Sequence, residues 1–142
     1  MLTTQEVWAE LVAAVKALGK FQDVRPCPLH RINDAAFLKD FPGLKLPACL
    51  VVRLGKTDTA KGQSLERETR WSFVVVCRDP DGSAWQTACD LEDAITGDVM
   101  DQQIMDGQLT IYGSNDAAIA LTSPRFAVHE ISATTREVGA RA

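Results

Sequence analysis

The sequence predicts an α+β fold: a mainly antiparallel four- or five-stranded sheet with two principal helices packed against it. Three observations carry this. Two segments place apolar residues at helical spacing behind a capping pattern. Two strongly apolar, β-branched runs, at 49–54 and 70–78, follow one another with no helical segment between them, which argues against a βαβ crossover. A chain of 142 residues with 46% hydrophobic and 24% charged residues has the size and composition of one globular domain spanning 1–142.

The elements can be justified in order. Thr3 and Glu6 have capping-box spacing. Behind them Val7, Leu11, Val15 and Leu18 form an apolar stripe that Trp8 and Val12 widen, and Gly19 stands just past its end. This predicts a helix over residues 4–18 whose apolar face packs on the core. Residues 21–25 read as a short strand that Pro26 and Pro28 end, and 26–47, with four prolines, read as irregular apart from a short helix near 33–39. Residues 49–54 are a strand led in by Leu46-Pro47-Ala48. Residues 70–78 are the strongest strand, apolar on both faces in their second half, as in a central strand covered on both sides. Between them, residues 55–66 are polar and include Gly55 and Gly62. They read as a long flexible loop, because hairpin connections usually need only about 2–5 residues.

Asp79-Pro80-Asp81-Gly82 reads as a turn. Ser83 and Gln86 have capping-box spacing, and Ala84, Ala88, Leu91 and Ile95 form one stripe on the helix behind them. Residues 109–112 and 125–135 are the closing strands. In the latter, Phe126 and Val128 fall on one face and Ile131 and Ala133 on the other, so a bulge near His129-Glu130 is expected to bring all four to the core. Residues 136–142 are expected to form a loose C-terminal tail.

Site chemistry is sparse. The sequence contains no nucleophile elbow, Walker loop, dinucleotide fingerprint or zinc-protease helix, so no catalytic residue is assigned and an enzyme is not expected. Cys27, Cys49, Cys77 and Cys89 contain no C-x-x-C pair. Cys27 and His30 have the spacing of half a metal site, but His129, the only other histidine, has no nearby cysteine to complete it. Neither metal nor cofactor is expected. No apolar run reaches the length of a membrane span, and the first residues lack a basic n-region, so neither membrane insertion nor export by a leader is expected. A net charge of −4 argues against broad nucleic-acid binding.

Charge is distributed unevenly. Residues 79–107 contain eight acids and no Lys or Arg, leaving fifteen basic against eleven acidic residues elsewhere. Asp90, Glu92 and Asp93 lie on the second helix. Lys56, Lys61, Arg67 and Arg70 lie in and after the polar loop, against Asp58, Glu66 and Glu68. These seven residues are the candidate contacts with a neighbouring subunit or partner. Unlike poles meeting head to tail would make a heterologous interface, which closes into a ring when the rotation permits.

The order of elements resembles one family. A leading helix, Leu46-Pro47-Ala48 running into a strand, a long polar loop, the 70–78 strand, an amphipathic helix and two closing strands resemble the tail-terminator (tail-completion) proteins of long-tailed bacteriophages, of the type found in Mu-like phages and prophages. The resemblance spans residues 4–135 and includes no signature motif. It implies a virion protein made in the host bacterial cytoplasm and built into the tail. Its partners would be itself, as a hexameric ring, the tail tube protein, and a neck or head–tail connector protein. DNA would pass through the lumen without specific binding. The ring would cap the tube, stop its polymerisation and offer a joining surface to the head. Alternatives are a neck or connector protein, or a small cytosolic enzyme or ligand-binding domain.

Overall fold

A computed structural model describes residues 2–27, 43–79, 82–100, 102–104, 109–119 and 126–140. The elements run α1 (Thr4–Ala17), β1 (Asp23–Cys27), β2 (Ala48–Lys61), β3 (Ser64–Arg78), α2 (Ala84–Asp98), β4 (Gln103–Ile104), β5 (Leu109–Ile119) and β6 (Phe126–Ala140). They build one mixed six-stranded sheet in the order β1-β2-β3-β6-β5-β4. The α+β architecture is therefore as expected, with six strands instead of four or five. The strand that was not expected is β4, a two-residue element at one edge of the sheet that a hydrophobicity pattern identifies poorly. The β1–β2 pair is parallel and all others are antiparallel.

The predicted start of α1 is observed in detail. Thr3 Oγ1 accepts from the Glu6 N–H at 3.1 Å, and Glu6 Oε2 accepts from the Thr3 N–H at 3.4 Å, so two otherwise orphaned donors are satisfied. Val7, Leu11 and Val15 are buried, and Gly19 adopts φ +66° just past the C-cap Leu18. The second capping box does not form. Ser83 makes no side-chain cap, and Asp79 Oδ1 accepts from the Ala84 N–H at 3.1 Å instead. The predicted stripe of Ala84, Ala88, Leu91 and Ile95 is buried.

β1 begins two residues later than expected and runs through Pro26, which pairs in register with Val51. A proline lacks the N–H of a ladder, but β1 is an edge strand, where that loss is tolerated. The predicted short helix near 33–39 and His30 lie outside the described residues.

Both faces of the sheet are apolar at its centre. On one face, α1 and α2 cover Cys49, Val51, Trp71, Phe73, Val75, Ile131 and Ala133. On the other, Cys27, Leu50, Val52, Val74, Val76 and Val128 form a second cluster, with Leu44, Leu46 and Phe126 packed against it. The whole run from Trp71 to Cys77 is buried, as the two-sided pattern predicts. Full burial of each large aliphatic or aromatic side chain contributes about 1.5–3 kcal/mol, so this strand anchors the domain. The same two-sidedness removes the need for a bulge in β6. Its register with β3 runs unbroken from Arg78↔Phe126 to Ser64↔Ala140, and Val128 and Ile131 fill opposite clusters. The expectation of a bulge at His129-Glu130 is thus corrected.

Two further expectations are overturned. Residues 55–66 do not form a long loop, because β2 continues to Lys61 and β3 starts at Ser64, with only Gly62 and Gln63 between them. Residues 136–140 are not a loose tail, because β6 pairs with β3 as far as Ala140. The physical reason is shared. Backbone ladders need no apolar side chains, and β3, with a strand on each side, holds the polar ends of both neighbours.

Candidate assembly surfaces

The first surface is the polar ribbon formed by the distal parts of β2, β3 and β6. Gly62, at φ +61°, starts its turn, a conformation that glycine adopts without steric penalty. Asp58 and Arg67 are directly opposite in register. Arg67 Nε donates to Asp58 Oδ1 at 2.8 Å and Nη2 to Oδ2 at 3.2 Å, a fork-to-fork arrangement, and Lys56 Nζ stands 3.6 Å from the same carboxylate. The hydrogen bond from Arg67, aided by both cations, holds the Asp58 carboxyl below its ordinary range and raises Arg67 in turn. Lys61 Nζ donates to Glu66 Oε2 at 2.8 Å, and Arg136 Nε stands 2.6 Å from Glu66 Oε1, so Glu66 is also held low.

Lys56, Lys61 and Arg67 are therefore each matched to a carboxylate of their own ribbon. Arg70 is exposed, and its guanidinium crosses over Gly55, where a β-carbon would lie 3.1 Å from Nη2. The four predicted basic contacts do belong to one element. What charge counting missed is their internal pairing, which the cross-strand register of Asp58 with Arg67 produces.

The second surface is the outer face of α2. Asp90 and Asp93 are exposed, and no basic residue lies on the helix. Glu92 differs from them: its Oε2 stands 2.7 Å from His129 Nδ1, with both side chains largely covered. It thus ties α2 to β6 and belongs to the fold more than to the surface. At the start of the helix Trp85 is 56% exposed, although its neighbour Ala84 is buried. Sequence periodicity had no role for this residue, since it falls off the apolar stripe.

The third surface is a groove of about 640 Å³ along α1, beside β1. It is lined by Gln5, Trp8, Ala9, Val12, Ala13 and Lys16 of α1 and by Pro26 of β1. Trp8 is fixed by two contacts. Its Nε1 donates to the Val51 carbonyl at 2.8 Å, and its ring meets that of Trp71 edge to face, with centroids 5.8 Å apart. Lys16 is exposed at the far end, close enough to Asp23 to help lower its carboxyl. Burial alone would raise that group, but bonds from Arg25 and the Lys45 N–H outweigh it.

Among the described residues, no cluster of three or more His, Cys, Asp or Glu could hold a metal ion. Cys27, Cys49 and Cys77 are buried, and none of them is in a disulfide. Burial pushes Cys49 far above its ordinary range and, with the charge of Asp79, Cys77 up to about 11, so neither is a ready nucleophile. No described helix is long and apolar enough to cross a membrane.

No family model matches the chain, and no curated protein matches it in sequence. Its fold is similar to that of a chain from the virion of a native gene transfer agent particle. The two share 12% identity and a TM-score of 0.61, over 96% of this chain and 95% of that one. The likeness extends over the whole domain, both helices and the sheet included, and at that identity it is a likeness of fold.

Proposed function

We propose that this protein is a structural subunit of a phage-like virion, and that within the particle it is the tail terminator. The observation that carries the reading is the fold shared, end to end, with a chain of a gene transfer agent virion. The order of elements, which resembles that of tail-terminator proteins, supports the finer assignment. In this role six copies form a ring on the end of the tail tube. One face of the ring continues the tube, while the other cannot template a further tube ring and receives the neck or head–tail connector. The protein does no chemistry: it holds no cofactor, and the DNA passing through the lumen is not read.

Two features suit such a subunit. The β2–β3–β6 ribbon carries Lys56, Lys61, Arg67 and Arg70 on a stiff, three-stranded support, and it is the element that reaches the tube or the next subunit. The outer edge of β2 beyond Val52 is unpaired among the described residues, and exposed strand edges invite pairing with another chain. Asp90 and Asp93 give the helical side of the subunit the opposite sign.

Multi-angle light scattering and negative-stain imaging of the purified protein, alone and with polymerising tail tube protein, test the reading. Rings of about six subunits, and tubes that stop growing when the protein is added, are expected. A protein that remains a monomer at high concentration and leaves tube growth unchanged overturns it.

A further inference from the structure

We infer that neighbouring copies dock helix to helix, with the ridge formed by Trp85, Cys89 and Asp93 of α2 seated in the α1 groove of the next copy. The inference deepens the ring reading and rests on it.

The shape of the groove carries the argument. Its α1 lining falls on two adjacent rows of the helix in steps of four, Gln5-Ala9-Ala13 and Trp8-Val12-Lys16. The space between two such rows is what receives the corresponding row of a second helix when helices pack ridge into groove, crossing at about 50°. Alanine at two of the three positions in one row allows close approach.

The molecule carries one matching ridge among its described residues. Trp85, Cys89 and Asp93 also follow in steps of four, and Trp85 is a large exposed aromatic residue at the outer end of that row. Trp85 and Asp93 are eight residues apart, about 12 Å along a helix, the same spacing as Trp8 and Lys16. With the helices running in the same sense, Trp85 meets the end formed by Gln5, Trp8 and Ala9 while Asp93 meets Lys16, the only charged residue among the described lining. The unlike charges set direction: reversing one helix would separate Asp93 from Lys16 and place its carboxylate beside Trp8 and Ala9.

α1 lies over β1 and β2, at one edge of the sheet, and α2 over β3 and β6. Donor and acceptor surfaces are therefore different parts of the subunit. The contact is heterologous, and repeated with a closing rotation it yields a ring.

The test uses two exposed positions, so the fold is retained: Trp85→Ala removes the anchor, and Ala9→Glu fills the groove with charge. Each variant alone should self-associate at least about tenfold more weakly, as loss of a central aromatic contact implies. Mixing them should restore one intact contact and give a 1:1 dimer that grows no further, read by analytical ultracentrifugation. Lys16→Glu should weaken assembly, and adding Asp93→Lys should restore it. If the unaltered protein forms rings and either single variant does so equally well, this contact is wrong and the ring reading stands. If the unaltered protein forms no ring, with or without tube protein, the ring reading fails and the contact with it.

Discussion

The backbone N–H of Leu2 donates to Oε2 of Glu137 at 3.1 Å, joining the two ends of the described chain across 135 positions of sequence. Glu137 is buried, on the same face of the sheet as Trp71 and Thr135, and Arg67 approaches it from β3. A segment that the sequence suggested was a loose tail thus contains the one buried carboxyl group among the described residues. It also fixes where the first residues lie before α1 begins.

This contact has a pH signature. Burial pushes the Glu137 carboxyl above its ordinary value, and the Leu2 N–H and the Arg67 charge only partly offset that. The folded state therefore favours the protonated acid. Its contribution is fully present below the unfolded value of about 4.3 and is lost as pH rises through the raised folded value. Glu137→Gln retains an acceptor for Leu2 and removes the titration. It should be at least as stable as the unaltered protein at pH 7, with a flatter stability profile from about pH 4 upward. Urea midpoints between pH 4 and 8 would show this. A variant destabilised at pH 7 with an unchanged profile would mean that the ionised carboxylate is the stabilising form.

The carboxylates of Asp58, Glu66 and Asp23 act in the opposite direction. All three are held below their ordinary values, the first two by hydrogen bonds from cations of the ribbon. Their contribution is present above the unfolded value of about 4 and is lost as pH falls through the lowered folded values. Asp58→Asn should therefore reduce the loss of stability on acidification, with little change at pH 7, since exposed pairs of this kind contribute little there. An acid-induced loss identical to that of the unaltered protein would remove Asp58 from the acid response.

Trp71 presents a sharper case. Its ring is fully buried, and its Nε1 donates to Thr135 Oγ1 at 2.8 Å, with the Thr69 carbonyl 3.5 Å beyond as acceptor for that hydroxyl. Thr135→Val keeps the shape and removes the acceptor, leaving a buried N–H unsatisfied. The expected loss is about 1–3 kcal/mol, seen as a lower denaturant midpoint with an unchanged slope. Thr135→Ser should retain most of the stability. A loss for Thr135→Ser with none for Thr135→Val would assign the effect to packing of the methyl group and not to the hydrogen bond.

How far the sequence discloses this structure depends on what each element relies on. α1 and the core of β3 rely on burial, and the periodicity of Val7, Leu11 and Val15 and the run from Trp71 to Cys77 are plain in the residues. The ribbon relies on backbone pairing and on Asp58 facing Arg67, which requires the register before the pair can be seen. Read with Gly62 as the turn, Lys61 and Glu66 also fall close together, and that was the available signal. The α1 groove was hidden because Trp8 and Val12 count as apolar in any helical pattern. Only the packed structure shows that they line a groove with Pro26 as well as flanking the core.

Gly62 gives a local test of the ribbon. Its φ of +61° is a left-handed conformation that a β-carbon disfavours by about 1–2 kcal/mol. Nothing crowds the position, so the strain is confined to the backbone. Gly62→Ala should speed amide exchange at Lys61 and Ser64 with little change in overall stability, and Gly62→Asn should have a smaller effect. A global loss of stability for the alanine variant would show that the turn is coupled to the core.

The last prediction separates a paired ribbon from a flexible loop. β3 has β2 on one side and β6 on the other along its distal half, so its amides from Leu65 to Thr69 all point at a partner strand. β2 is paired on one side only beyond Val52 among the described residues. Amides of an antiparallel strand alternate in direction, so every second amide from Thr57 to Lys61 should point away from β3. Hydrogen exchange of the free subunit should therefore show continuous protection in β3 and a fast–slow alternation in β2. On assembly, slowing of the fast set alone would identify the outer edge of β2 as covered by a neighbour or by the tube. Uniformly fast exchange from Lys56 to Glu68 would mean that the ribbon is unformed in the free subunit, and its charges would then not be positioned by pairing before assembly.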